Sequence, residues 1–192
     1  YHIIHGIKTR LQNTIRCVRE IPINVEEVVF SPIAAAQVML KRDDKDRGAL
    51  LIDIGGGVTD YVMYSGGSVA QSGCIGVGGD HITNDISVVM KIPLTRSEKL
   101  KIDHGSALPE SDEDSSIVLD DDPLKSGLEI DKELLNQIIN ARATEIFEQL
   151  KDRITKHDNL DTLGAGVFLT GGASKLKDID KLAEDILGLP VS

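Results

Sequence analysis

Leu50-Leu51-Ile52-Asp53-Ile54-Gly55-Gly56-Gly57-Val58-Thr59-Asp60 is the stretch that decides how this chain folds. An apolar run carrying one carboxylate ends in three glycines, and a Thr-Asp pair follows. Residues 50–54 have the length and composition of a buried strand. The glycines let the backbone turn tightly and approach a ligand closely. Successive N–H groups in such a turn form a concavity for an anion. Asp53, at the strand end, suits a hydrated magnesium ion beside bound phosphates. Residues 61–64, the Ser65-Gly66-Gly67 turn and residues 68–75 continue as a β-meander. The same stretch also fits a glycine-rich hairpin without a ligand.

A second segment echoes the first. Val167-Phe168-Leu169-Thr170-Gly171-Gly172 repeats the pattern of a strand followed by a diglycine. Two such units would bring two backbone turns to one cleft at the carboxyl edge of a sheet, where α/β proteins bind ligands.

Outward from these units, the pattern alternates between helix and strand. Residues 1–5 and 25–30 read as strands. Ile7, Leu11, Ile15 and Val18 share one face of a helix. Ser31-Pro32 reads as an N-cap and first turn, opening an alanine-rich helix to Leu40. Residues 41–47 read as a charged loop. Gly78-Gly79-Asp80 leads into a helix through Ile82, Ile86 and Val89. Thr95-Arg96-Ser97-Glu98 fits a capping box for a short helix ending at Gly105. Residues 109–127 read as an acidic loop with one hairpin near Ile117-Val118-Leu119. Asp131 caps a long helix through Leu135, Ile138, Ile139, Ile146, Leu150 and Ile154. Residues 166–170 form a strand, and a helix over 177–187 closes at Gly188. Leu189-Pro190-Val191 reads as a strand, so the sequence, starting at Tyr1, has the look of a fragment.

Composition narrows the function classes. The 192 residues allow a substantial core. A net charge of −10 and the absence of Trp argue against nucleic acid. The charge is local: residues 103–133 hold 11 carboxylates against Lys125 and Lys132, a net of −9. Cys17 and Cys74 stand alone, without metal or redox spacing, and suit a reducing compartment. The five histidines form no ligand pair. No run is long enough to span a bilayer and no signal peptide is visible.

Three motifs in this order resemble the actin-like ATPase superfamily. Asp53-Ile54-Gly55-Gly56-Gly57-Val58-Thr59-Asp60 is similar to its second phosphate loop. Gly78-Gly79-Asp80 precedes Ser97-Glu98-Lys99-Leu100-Lys101-Ile102 and Gly105-Ser106-Ala107. Phe168-Leu169-Thr170-Gly171-Gly172-Ala173 is similar to its adenosine loop. Within the superfamily, residues 29–35, Asn84-Asp85-Ile86, residues 101–107 and residues 179–191 most resemble the FtsA family of bacterial cell-division proteins.

The resemblance implies an α/β fold of the actin-like, ribonuclease H-like kind: a mixed sheet flanked by helices, with an inserted smaller α+β subdomain. Residues 1–47 would end a first lobe. Residues 48–79 and 161–192 would form the nucleotide-binding core of the second. Residues 80–160, with the acidic loop 103–133, would be the insert. The implied ligands are ATP and Mg. Asp53 would hold the metal through water. The backbone of Gly55, Gly56 and Gly57 would contact phosphates, with Thr59 completing the loop. Glu98 and Lys101 would approach the ribose and adenine. Gly171, Gly172 and Ala173 would pass under the adenosine, with Lys175 at its edge.

Simpler structural roles remain open for several of these. Glu98 fits a capping box, Lys101 and Lys175 fit solvated surface charges, and Gly171-Gly172 fits a tight turn. The resemblance further implies self-association into filaments, contact with the FtsZ tail near Arg142 and Glu145, and residence at the inner membrane face of the division site through a C-terminal helix beyond Ser192. Arg142 and Glu145 also fit an ordinary solvated pair. Relatives carry Glu-Pro where this chain has Ser31-Pro32, and serine lacks the carboxylate that orients water. Binding is therefore expected ahead of hydrolysis. Competing functions are a pilus-assembly adaptor of the PilM kind and a chaperone-like or kinase-like ATPase.

Overall fold

The computed structural model describes residues 2–109, 116–119, 128–156 and 160–192. Its centre is β1 (Ala49–Ile54), whose side chains are almost entirely buried on both faces. A strand covered on both faces reads as a continuous apolar run, and Leu50-Leu51-Ile52 is such a run. β1 pairs antiparallel with β2 (Thr59–Ser65), which pairs antiparallel with β3 (Ser68–Ile75). On its other side β1 pairs in parallel with β6 (Gly166–Thr170). The order β3-β2-β1-β6 makes the sheet mixed. Residues 190–192 bond along the outer side of β6, as a short bridge at Val191 rather than the full strand the sequence suggests.

Alternation along the strands supplies two apolar faces. Leu50, Ile52, Ile54, Tyr61, Met63 and Val167 pack against α6 (Lys132–Thr155) and α7 (Ile179–Leu187). Ala49, Leu51, Val62, Tyr64 and Phe168 pack against α2 (Ser31–Met39) and Leu40. A third apolar cluster joins α4 (Gly79–Met90), α5 (Leu94–His104), β5 (Leu128–Asp131) and the first half of α6 through Ile82, Ile86, Leu100, Ile130, Leu135 and Ile139. The 24-residue α6 thus links the sheet to the α4–α5 layer. Asp131 starts it by accepting the Glu133 and Leu134 N–H groups at 2.9 and 3.2 Å.

Several local expectations are corrected. Residues 2–5 and 25–30 form no strand, because a strand needs a partner and none pairs with them among the described residues. Residues 41–47 are not a loop: α3 (Arg42–Arg47) is stabilised at its start by the Asp44 carboxylate, which accepts the Lys41 N–H at 2.9 Å. α2 is capped by Phe30, so Ser31 is its first residue rather than its cap. α1 (Lys8–Arg19) forms as the spacing predicts, yet buries none of its residues. The expected hairpin exists as β4 (Ser116–Leu119) paired with β5. Tyr1 and most of the acidic stretch lie outside the described residues.

The largest fully buried side chain among the described residues is Phe147, on the face of α6 that packs on the sheet. Phe147→Ala is expected to destabilise the chain by about 3–5 kcal/mol. Denaturant unfolding measures this, and a loss under about 1 kcal/mol would refute the packing described.

Candidate ligand cleft

Parallel pairing places the ends of β1 and β6 side by side, with Asp53 opposite Thr170. Their diglycine turns therefore emerge at the same sheet edge. Between these turns and helices α4 and α5 lies a cleft of about 370 Å³, within the range of small-molecule sites.

The floor is the turn after β1. Gly55 donates its N–H to the Val58 carbonyl at 3.0 Å. The Gly55 and Gly56 carbonyls accept the Gly79 and Asp80 N–H groups of α4, both at 2.9 Å. This close approach explains Gly78: a Cβ there would lie 2.5 Å from the Gly56 oxygen. The N–H groups of Gly56 and Gly57 meet no acceptor among the described residues. The loop thus has its carbonyls tied back and two amides available to an anion. Thr59 is fully buried and donates its hydroxyl to the Val77 carbonyl at 2.8 Å. It completes the loop by anchoring it from behind, without facing the cleft.

One wall is α5. Lys101 is only 8% exposed and directs its ammonium at three acceptors. These are the Gly79 carbonyl at 3.1 Å, the Thr83 hydroxyl at 2.8 Å and Glu98 Oε2 at 2.7 Å. Thr83 donates its hydroxyl hydrogen bond to the same Glu98 oxygen. Burial works to raise the Glu98 pKa, but the Lys101 and Thr83 hydrogen bonds and the Lys101 charge outweigh it, and the group sits below its ordinary value. The Oε1 atom of Glu98 has no partner among the described residues. The capping-box reading of Glu98 is corrected: α5 begins at Leu94 after Pro93, and Ser97 bonds back to the Pro93 carbonyl. Lys101 is likewise no surface charge.

The opposite wall is the turn after β6. Gly171 has φ +92°, and a Cβ there would strike the Ile54 carbonyl. Gly172, Ala173 and Lys175 then line the cleft through a 3-10 turn, Ala173–Lys175. Of the residues singled out in the sequence, Gly55, Gly56, Glu98, Lys101, Gly172, Ala173 and Lys175 line one cavity. Gly57, Asp53, Thr59 and Gly171 border or support it. Gly79, Asp80, Ile82, Ile102 and Leu176 also line it and were not singled out as site residues. The Gly78-Gly79-Asp80 motif was the available signal for the first two.

Asp53 is half-buried, and no donor meets its carboxylate among the described residues. Burial and the neighbouring Asp60 charge raise its pKa. No group of three or more His, Cys, Asp or Glu side chains suits a metal ion among the described residues, so a cation here would need ligands from water or a bound anion. Farther away, Arg142 grips Asp85 with two bonds at 2.6 and 3.1 Å and also meets Glu145.

The Thr83–Lys101–Glu98 triad can be tested directly. Thr83→Val removes an acceptor from a buried ammonium and is expected to cost about 1–3 kcal/mol by denaturant unfolding. Thr83→Ser is expected to restore most of it. Equal stability of all three proteins would refute the bonding described.

The Cell division protein FtsA family model matches residues 50–192. The chain is 35% identical over 200 residues to FtsA of Buchnera aphidicola, covering 99% of this chain and 47% of that protein. It is 34% identical to FtsA of Borreliella burgdorferi, covering 100% and 48%. The chain therefore spans about half the length of the curated relatives it matches. Among solved structures, MreB5 of Spiroplasma citri bound to AMPPNP aligns with a TM-score of 0.80 at 23% identity, covering 97% of this chain and 60% of that one. The ADP-bound form gives 0.79 at 22%, with the same coverage. The MamK double helical filament gives 0.75 at 12%, again covering 97% and 60%. The fold is therefore actin-like, and the chain belongs to the FtsA family of cell division proteins.

Proposed function

We propose that the cleft takes a magnesium-bound adenine nucleotide and that the chain is part of an ATP-dependent, filament-forming scaffold of bacterial cell division. The observation that carries this reading is the turn after β1: among the described residues, its Gly56 and Gly57 amides meet no acceptor and the neighbouring Asp53 carboxylate meets no donor. Amides suit phosphate oxygens. Carboxylates beside phosphates call for a divalent cation between them. Asp53 would hold that ion through water. Asp80, also at the cleft, strengthens the requirement, because Lys101 is already neutralised by Glu98. Mg²⁺ would screen the phosphate charge there.

The nucleoside would lie between the two walls. Glu98 Oε1 is placed to accept a ribose hydroxyl. With its three protons engaged, Lys101 acts by holding Glu98. Gly171, Gly172 and Ala173 would run under the adenosine, with Lys175 at its edge. The ADP- and AMPPNP-bound MreB5 structures support a nucleotide in this fold.

Hydrolysis would be slow, because Ser31 opens α2 without a carboxylate to orient water. ATP would then serve as a conformational switch favouring assembly. The MamK filament supports self-association as a use of this fold. Family membership supports the further links to FtsZ and the membrane, and favours this reading over a pilus-assembly adaptor. Arg142, already paired with Asp85 and Glu145, and Glu145 itself would meet the FtsZ tail. For the domain division we propose residues 1–47 as the end of a first lobe, 48–79 with 161–192 as the nucleotide core, and 80–160 as the insert. The unburied apolar face of α1 supports the first of these.

The test is titration calorimetry with ATP and magnesium on the chain and on Asp53→Asn. The raised pKa means that folding disfavours the charged form, so ionised Asp53 opposes stability at neutral pH. That penalty fades as pH falls and the group protonates. Asp53→Asn is therefore expected to leave unliganded stability equal or higher, while weakening Mg·ATP binding roughly 10–100-fold. Equal affinity in the two proteins, or no binding by the unaltered chain, would contradict the reading.

A further inference from the structure

Five hydrogen bonds meet in the loop that follows α5. Ser106 donates its N–H to Oδ1 of the fully buried Asn136 at 2.9 Å and its hydroxyl to Asp178 at 3.0 Å. The Leu108 N–H reaches the Ser106 hydroxyl oxygen at 3.2 Å. Ala107 donates its N–H to the Lys177 carbonyl at 2.8 Å, and Asn140 donates to the Ala107 carbonyl at 2.7 Å. Ser106 and Ala107 are themselves buried.

The position of this knot gives it a consequence for the cleft. On one side it begins just past the end of α5, and the Gly105 N–H that starts it bonds to the carbonyl of Lys101. On the other it grips residues 177–178, immediately beyond the 3-10 turn and Leu176. One wall of the cleft carries Glu98, Lys101 and Ile102, and the other carries Gly172, Ala173 and Lys175. Both walls are therefore tied by hydrogen bonds between the Ser106–Ala107 loop and the 177–178 segment, beside the packing of Leu176 against the α4–α5 cluster. Asp178 holds a left-handed backbone, φ 58°, where only glycine is unstrained and Asn and Asp are tolerated. A second bond, from Lys181 at 2.6 Å, holds the same carboxylate.

We infer that the Ser106–Asp178 contact is a latch that fixes the spacing of the two cleft walls and thereby sets the affinity for the nucleoside part of the ligand. This rests on the nucleotide reading above and adds positioning residues that touch no ligand themselves. The alternative is that the contact only packs a loop.

Spin labels at Ile102→Cys and Lys175→Cys, in a background with Cys17→Ser and Cys74→Ser, report the wall-to-wall distance without any ligand. Ser106→Ala and Asp178→Gly are expected to broaden that distribution. In the unlabelled chain they are expected to weaken ADP binding about tenfold. Glycine adopts the left-handed backbone freely, so Asp178→Gly removes the acceptor without adding strain. Ser106→Thr keeps the hydroxyl, and Asp178→Asn keeps both an acceptor and tolerance of this backbone. Both are expected to hold the distribution narrow and the affinity unchanged, which a general loss of stability would not reproduce. An unchanged distance in Ser106→Ala and Asp178→Gly would overturn the latch, as would unaltered ADP affinity in a variant whose distance had moved. The distance arm needs no ligand, and ADP binding by the unaltered chain is a separate readout, so failure of the latch and failure of the nucleotide reading are told apart.

Discussion

The parallel pairing of β1 with β6 is the constraint on which the rest depends. It aligns two strands that each end in a diglycine, so both turns leave the sheet at one edge. An antiparallel pair would have sent them to opposite edges, and no common cleft would exist. Because a parallel connection needs a long crossover, α6 must lie across the sheet, and there it buries Phe147 and its neighbours. The same helix reaches beyond the sheet to hold α4 and α5. The cleft is thus a by-product of the core: floor, walls and supporting helix follow from one strand pairing.

Polar groups are organised around this frame by saturation. A buried ammonium is costly unless its donors find acceptors. Lys101 finds three, from a carbonyl at the start of α4, a hydroxyl one turn later and a carboxylate on its own helix. The outcome is a neutral, fixed wall with one carboxylate oxygen that meets no partner among the described residues. The floor is arranged in the opposite sense. Its Gly55 and Gly56 carbonyls are tied to α4, and its Gly56 and Gly57 amides meet no acceptor among the described residues. One side of the cleft is therefore suited to hydrogen-bond donors and the other to an anion, a polarity that matches the two ends of a nucleotide.

The features legible in the sequence were those with local causes. The apolar run before Gly55, the glycine turn, the Asp131 cap and the Gly188 stop each act within a few residues, and all appear as read. Residues 25–30 looked like a strand because Val25, Val28 and Val29 favour one, but a strand exists only with a partner, and pairing is not a local property. α3 was hidden by its charges: the Asp44 carboxylate that starts it looks in sequence like any surface acid. Glu98 and Lys101 were singled out, whereas Thr83 was not. A threonine inside a helix carries no mark of the lysine it meets from another helix, 18 residues away. The Ser106–Asp178 contact was invisible for the same reason across a longer separation.

The most direct measurement is a crystal structure of the chain grown with ADP and magnesium. The account predicts the diphosphate on the Gly55–Gly57 turn, the metal ion near Asp53, and the adenosine between Glu98 and the Gly172–Lys175 turn. ADP bound elsewhere, or an empty cleft at saturating ADP, would contradict it.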